Sequence, residues 1–167
     1  MSVTLISAPA NQRENVIHSL FTGGTPLANI AWLPVNLRLP DETFSLRYHD
    51  GRYPGLQTVL LGMNDFRTLV KSVHTIIFWQ REQKASEVVI CICCTRGKHK
   101  SVGCVELISK MLHHDQRVFH DRVWHYAYPT RFCRCTVCNR PADDMTNNDI
   151  VTKAVQIWSL FPGDNID

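Results

Sequence analysis

The sequence lacks the long apolar run that a membrane-spanning helix requires. Its longest apolar stretches, residues 76–79 and 88–94, are far shorter than the roughly 20 residues that cross a bilayer. The first residues also lack the basic segment followed by an apolar run that marks a signal peptide. We therefore expect a cytoplasmic protein that does not enter a membrane.

The sequence also has only a small excess of charge of one sign. The 18 Lys and Arg residues against 15 Asp and Glu residues leave a net charge of +3. This charge permits an anionic ligand but is too weak to indicate nucleic acid by itself. The sequence has no G-x-x-x-x-G-K-[ST] motif, which excludes a nucleotide P-loop.

Internal repeats, low-complexity tracts and linkers are absent as well. The 167 residues have the length of one ordinary domain, and 44% of them are hydrophobic, enough to bury a core. We expect a single domain over residues 1–167 whose last part, residues 128–167, holds a cysteine segment and a C-terminal helix.

Cysteine is present in an odd number. The seven cysteines form one group at residues 91–104 and another at residues 133–138. Secreted disulfide frameworks usually have an even number in a shorter chain, so we expect reduced thiols. The first group lies in an apolar run, where thiols act as small hydrophobic residues.

The apolar pattern alternates between strand and helix. Short apolar runs predict four strands, at residues 3–7, 30–39, 88–94 and 117–128. Apolar spacings of three and four predict helices between and after them, whereas residues 40–63 resemble a long loop. The third run does not alternate, which is typical of a central strand covered on both faces. We therefore predict an α/β fold with a small, mostly parallel sheet flanked by helices.

The segment after the third predicted strand carries the most chemistry. It reads Cys94-Thr-Arg-Gly-Lys-His-Lys-Ser101 and leads directly into a helix. The first amides of a helix have no partner within it, and the helix dipole adds partial positive charge there. The side chains that could add to such a site are Thr95, Arg96, Lys98, His99, Lys100 and Ser101. At the carboxyl end of a central parallel strand, the segment predicts a site for a phosphate-bearing ligand.

Other interpretations of this segment stay open. Cys94 followed five residues later by Lys100-Ser101 approximates a cysteine phosphatase loop, which would make the chain a phosphatase or a phosphoryl-transfer enzyme. Lys100 lacks the bidentate fork of the arginine in such loops, so we favour a structural thiol and predict no catalytic residue. The segment could also be a solvated turn, or an interface in a structural module of a larger particle.

The same segment resembles the C-terminal domain of the RapZ family of bacterial RNase adapters. The family's sequence runs Cys-Thr-Gly-Gly-Lys/Arg-His-Arg-Ser-Val, and here residues 94–102 read Cys-Thr-Arg-Gly-Lys-His-Lys-Ser-Val. Upstream, Val35-Asn-Leu-Arg-Leu39 is similar to the family's Val-Asp-x-Arg-x-Leu. The resemblance extends over residues 3–126 and implies the fold of that domain.

The resemblance implies a binding domain that is not an enzyme in its own right. In the family this domain binds an amino-sugar phosphate and small regulatory RNA as an oligomer. The implied partners are therefore a phosphorylated small molecule or RNA, in a homo-oligomer or a larger assembly. The implied ligand contacts are Thr95, Gly97, His99, Lys100 and Ser101, with Arg38 nearby.

Three departures from the family pattern stand out. Arg96 replaces a glycine and Lys100 replaces an arginine, so we expect a different ligand geometry. The histidine of the family's Asn-Pro-His stretch has no counterpart in residues 40–44, and His49 is only a weak substitute. The family's basic C-terminal tail, which binds RNA, is replaced here by the cysteine segment and a final helix.

The second cysteine group predicts a metal site. Cys133, Cys135 and Cys138 lie within six residues, and the last two have the spacing with which two thiolates hold one Zn²⁺. We expect one structural zinc ion whose fourth ligand is His125 or, as second choice, His120, because both lie just upstream of the cysteines. His113 and His114 are less favoured, because the preceding helix would have to end beside the cluster. The alternative is a redox-active or simply exposed cluster in the electropositive setting of Arg131, Arg134 and Arg140.

Overall fold

A computed structural model describes residues 1–39, 48–126, 133–139 and 145–161. Within these ranges the chain forms four strands and five α-helices, with one or two α-helices between successive strands. The strands are β1 (Ser2–Pro9), β2 (Ile30–Pro34), β3 (Glu87–Cys94) and β4 (Phe119–His125). The helices are α1 (Arg13–Thr22), α2 (Pro54–Gly62), α3 (Asn64–Glu82), α4 (Lys100–His113) and α5 (Met145–Ser159).

The strands form one parallel sheet in the order β2-β3-β1-β4. This confirms the α/β prediction, and β3 is an interior strand, as its unbroken apolar sequence indicated. Seven of its eight residues are buried. The β1–β3 register pairs Ser2 with Glu87 and Pro9 with Cys94, so the two interior strands end at the same edge of the sheet.

The strand order creates a crevice at that edge. The chain crosses from β1 past β3 to β2, and later from β3 past β1 to β4, in the opposite direction. Because parallel crossovers are right-handed, the two connections lie on opposite faces of the sheet. The loops that leave β1 and β3 therefore diverge, and ligands of open α/β sheets bind at such a point.

The two faces of the sheet are covered unequally. The larger core packs α2, α3, α4 and α5 against the strand residues that point to one side, such as Leu5 and Ile90. The smaller core contains Val16 of α1 against Ile6 and Cys91 on the other side. Successive strand residues thus enter different cores, as the two-residue period of a strand requires.

The predicted loop at residues 40–63 contains a helix that the sequence analysis missed. Pro54 begins α2, where a missing amide hydrogen costs nothing. Leu56 and Leu60, one helical turn apart, are fully buried. The second strand is also shorter than the predicted residues 30–39, because it ends at Pro34. Residues 40–47 and 127–128 lie outside the described ranges.

A buried carboxylate fastens the last helix to the rest of the fold. Asp115 accepts hydrogen bonds from Arg117, at 2.7 and 2.8 Å, and from the Trp158 indole nitrogen at 2.7 Å. Burial alone would raise the pKa of Asp115, but these hydrogen bonds outweigh it and lower the pKa to about 2.

None of the helices in the described ranges has the length and apolarity needed to span a membrane.

Candidate anion loop and metal cluster

Residues 94–101, which we call the anion loop, leave β3 through a tight turn. The Gly97 amide donates to the Cys94 carbonyl at 3.2 Å, and Gly97 has a φ of +62°, a region that favours glycine. A Cβ on Gly97 would lie 2.5 Å from the Pro9 nitrogen, so a side chain does not fit. The turn thus rests on the end of β1, in the crevice at the edge of the sheet.

The anion loop ends at the amino terminus of α4. The Gly103 amide donates to the His99 carbonyl at 2.8 Å, the first bond of the helical pattern. The amides of Lys100, Ser101 and Val102 precede that bond, so they belong to the unpaired donors of a helix start. These amides and the helix dipole favour a negative charge at this position.

Positive side chains surround this helix start. The sequence has no acidic residue between Cys94 and Glu106. Thr95 and Arg96 are exposed, and Lys98 and Lys100 are partly exposed. In the described part of the chain, neither Lys98 nor Lys100 forms an ion pair. Their charges are therefore available to an anion from solvent.

Arg38 follows β2 toward the same edge of the sheet. The Val35 amide donates to the Cys93 carbonyl at 2.7 Å, next to the start of the anion loop. Arg38 comes three residues later and is exposed. Arg38 therefore follows closely after a residue that is fixed beside the start of the anion loop.

Ser101 points inward. Its hydroxyl hydrogen-bonds the Cys94 thiol at 3.2 Å, and the side chain is fully buried. Cys94 itself is only 8% exposed. The Ser101 hydroxyl is therefore occupied inside the fold, which leaves its backbone amide as the group that can reach a ligand.

The second candidate site, the metal cluster, consists of His49, Cys133, Cys135 and Cys138. One ligand atom from each residue lies within 4.8 Å of the other three. The His49 Nδ1 atom is 3.9, 3.4 and 3.4 Å from the sulfurs of Cys133, Cys135 and Cys138. A tetrahedral zinc ion with ordinary bond lengths separates nitrogen from sulfur by about 3.6 Å. The cluster could hold a metal ion.

Backbone amides donate to two of the three sulfurs, whereas burial raises the pKa of the third thiol, Cys138. The Cys138 amide donates to the Cys135 sulfur, and the Cys135 amide donates to the Cys133 sulfur, each at 3.4 Å. The Cys138 amide and the Cys133 side chain are the main reasons that the pKa of Cys135 is lowered to about 6. A thiolate is the form of cysteine that binds metal.

A network of hydrogen bonds supports the metal cluster from behind. The carboxylate of Asp50 is fully buried and accepts hydrogen bonds from the Arg52 side chain and, at 2.8 Å, from the Cys133 amide. Arg52 also donates to the Cys133 carbonyl and to Asn139, each at 2.8 Å. The His49 ring stacks on Tyr53 with centroids 4.3 Å apart. Such outer contacts fix the orientation of metal ligands.

The structure does not bring His125, the expected fourth ligand, into this cluster. Its Nε2 atom donates to the Glu106 carboxylate at 2.9 Å, and its Nδ1 atom bonds the Ser7 hydroxyl at 2.6 Å. His120, the other candidate, bonds Ser109 and the Val3 carbonyl. Both rings are engaged at β4, so the histidine position belongs to His49 instead.

Sequence spacing could not have identified His49. It lies 84 residues before Cys133, and only the fold brings the two together. The one signal was its position as a weak substitute for the family's missing histidine. Of the arginines expected around the cysteines, Arg134 is exposed, and Arg131 and Arg140 lie outside the described residues.

A sequence model of the RapZ C-terminal domain matches residues 21–126. The chain belongs to this family. No curated protein matches it. The family match contains the anion loop and His49 but ends before the three cysteines, so the metal cluster joins a residue inside the match to a segment beyond it.

Proposed function

We propose that the protein is a non-catalytic binding domain that recognises a phosphate-bearing ligand at the anion loop. The ligand class is a phosphosugar, a nucleotide or an RNA backbone. The main support for the proposal is the position of Lys98 and Lys100 at the start of α4 in the crevice of the sheet, where neither forms an ion pair with a described residue. Membership of a family associated with phosphorylated ligands supports it.

The anion loop offers each phosphate oxygen a suitable donor. The amides at the start of α4 supply hydrogen bonds along the helix axis. Lys98 and Lys100 supply charge-assisted bonds, which are roughly twice as strong as neutral ones. Arg96 and Arg38, both exposed, extend the positive surface toward the remainder of a larger ligand.

A cysteine-dependent phosphatase is the less favoured function. The nucleophile of such an enzyme must reach phosphorus, whereas Cys94 is only 8% exposed. Lys100 occupies the position of the clamping arginine and provides a point charge where that mechanism uses a planar fork. The arrangement favours binding over transfer.

The metal cluster is the site of one structural zinc ion in this proposal. Three thiolates and one imidazole form a common zinc ligand set, and four protein ligands leave no open position for catalysis. The seven free cysteines favour a reducing, cytoplasmic setting, where thiols stay available to metal.

Isothermal titration calorimetry tests the binding function. Zinc-loaded protein should bind an amino-sugar phosphate and a nucleoside monophosphate but not the same sugar or nucleoside without phosphate. The unphosphorylated pair is the matched control, because it differs only in the group that the anion loop recognises. Equal binding with and without phosphate, or no binding of either, would contradict the proposal.

A further inference from the structure

We propose that zinc in the metal cluster holds the anion loop in its binding shape, so that zinc loading sets the affinity for the anion. The inference rests on the proposed function, since it requires both a phosphate-binding loop and an occupied metal cluster. It adds a coupling between the two sites, by which zinc bound at the metal cluster raises the anion affinity of the loop.

The metal ligand His49 contacts the anion loop through its backbone. The Nε2 atom of His99 lies 2.8 Å from the His49 carbonyl oxygen. A carbonyl only accepts, so the proton is on Nε2 of His99. The ring of His99 is thus oriented by the residue whose own ring faces the three thiols.

Gly51 makes the second contact, two residues further on. Its amide donates to the Lys98 carbonyl at 3.0 Å. A Cβ on Gly51 would lie 2.1 Å from the Gly103 nitrogen and 2.4 Å from the His99 carbonyl oxygen. The backbone of this turn therefore lies directly against the first turn of α4, and a displacement of one moves the other.

Asp50, between these two residues, faces the cysteine segment. Its carboxylate accepts the Cys133 amide at 2.8 Å and the guanidinium of Arg52 at 2.8 Å. Residues 49–51 consequently form a strip with the anion loop on one side and the metal cluster on the other. The strip is the physical path between the two sites.

Zinc strengthens the link between His49 in the strip and the three cysteines. Between the His49 Nδ1 atom and the sulfurs, separations of 3.4–3.9 Å allow only weak imidazole–thiol hydrogen bonds. Four metal–ligand bonds replace these contacts when zinc is present. The Asp50 contacts do not involve the ion, so we expect zinc removal to weaken anion binding without abolishing it.

The direct test compares anion binding by the full chain with zinc loaded and with zinc removed by a chelator. An amino-sugar phosphate should bind about ten-fold more weakly to the zinc-free protein, a factor typical of coupling between two sites. Circular dichroism of both samples checks that the fold persists. Equal affinity in the two states would overturn the coupling while leaving the anion site intact.

Reciprocity supplies a second measurement that needs no metal-free protein. If zinc raises the anion affinity, saturating anion must raise the zinc affinity by the same factor. Competition with a chromophoric chelator, in the presence and absence of the amino-sugar phosphate, measures this. A zinc affinity that the anion does not change would overturn the inference, and absence of anion binding in every state would overturn both proposals.

Variants locate the effect in the strip. His49→Ala should lose zinc and show the weakened anion binding of the chelated protein. His18→Ala is the matched control, because His18 is exposed on α1 and should leave both affinities unchanged. Wild-type anion affinity in a His49→Ala protein that has lost zinc would contradict the inference.

Discussion

The anion loop and the metal cluster are built in opposite ways. The anion loop consists of eight consecutive residues, 94–101, whose shape follows from a strand, a tight turn at Gly97 and a helix start. The metal cluster joins His49 to thiols 84–89 residues later in the chain. A site made of consecutive residues can be recognised from the sequence. A site whose residues lie far apart in the chain can be recognised only once the three-dimensional structure is known.

The comparison predicts that the cluster stabilises the protein and the loop does not. Cys135→Ser should lose zinc and lower the free energy of unfolding by about 4 kcal/mol, the stabilisation from a ligand present at about a thousand times its dissociation constant. The melting temperature should fall by roughly 8–16 °C, which calorimetry and metal analysis together measure.

Thr136→Ala is the control for that variant, because Thr136 lies exposed between the two cysteines of the same turn. It should retain stoichiometric zinc and a nearly unchanged melting temperature. A wild-type protein that contains no zinc after purification without chelators, and melts at the same temperature as Cys135→Ser, would remove the metal from the account.

Substitution in the anion loop should weaken ligand binding but leave the stability of the protein nearly unchanged. Lys100→Ala should weaken phosphate binding by about 1.5–3 kcal/mol, the contribution of a charge-assisted hydrogen bond. Its melting temperature should hardly change, since the side chain is partly exposed and forms no ion pair in the described residues. Titration calorimetry against Lys71→Ala, an exposed lysine on α3, separates a local effect from loss of net charge.

The loop's composition also limits how it can bind nucleic acid. With Arg38, Arg96, Lys98 and Lys100 as phosphate contacts, binding to single-stranded RNA should weaken with a log–log salt slope of about −3. It should show little sequence preference, because phosphate contacts carry no base information. Fluorescence anisotropy across a salt series measures both, and tight binding that persists at high salt would indicate a different surface.

The smallest effect is expected at Cys94. Cys94→Ser should leave anion affinity within a few-fold of the wild type, because the thiol is buried beside Ser101 and does not face the ligand. An aryl phosphate assay should detect no turnover in either protein. Hydrolysis by the wild type that disappears in Cys94→Ser would favour the enzyme interpretation.

The sequence predicted the parts of the fold whose patterns are local. The unbroken apolar run of β3 indicated an interior strand, and β3 does lie between β2 and β1. The helix α2 was missed because proline and glycine at its start resemble a loop, although proline is common in a first turn. The buried pair Leu56 and Leu60 has helical spacing, but two residues alone do not establish a period.

For the two sites, too, the sequence predicted the residues that are close together in the chain and missed the residue that only the fold brings near. The sequence of the anion loop indicated its position at the carboxyl end of a strand, and Ser101 is the residue whose side chain points away from the expected ligand. The cysteines were correctly singled out as neighbours, because three thiols in six residues cannot lie far apart. The histidine was assigned to His125 by proximity in sequence, whereas the turn before α2 brings His49 instead.

The most direct test of the binding function is a crystal structure of the zinc-loaded protein soaked with an amino-sugar phosphate. We expect phosphate density above Gly97, within hydrogen-bonding distance of the amides of residues 100–102 and of the Lys100 ammonium group. Phosphate bound at another surface, with the crevice between β1 and β3 empty at saturating ligand, would contradict it.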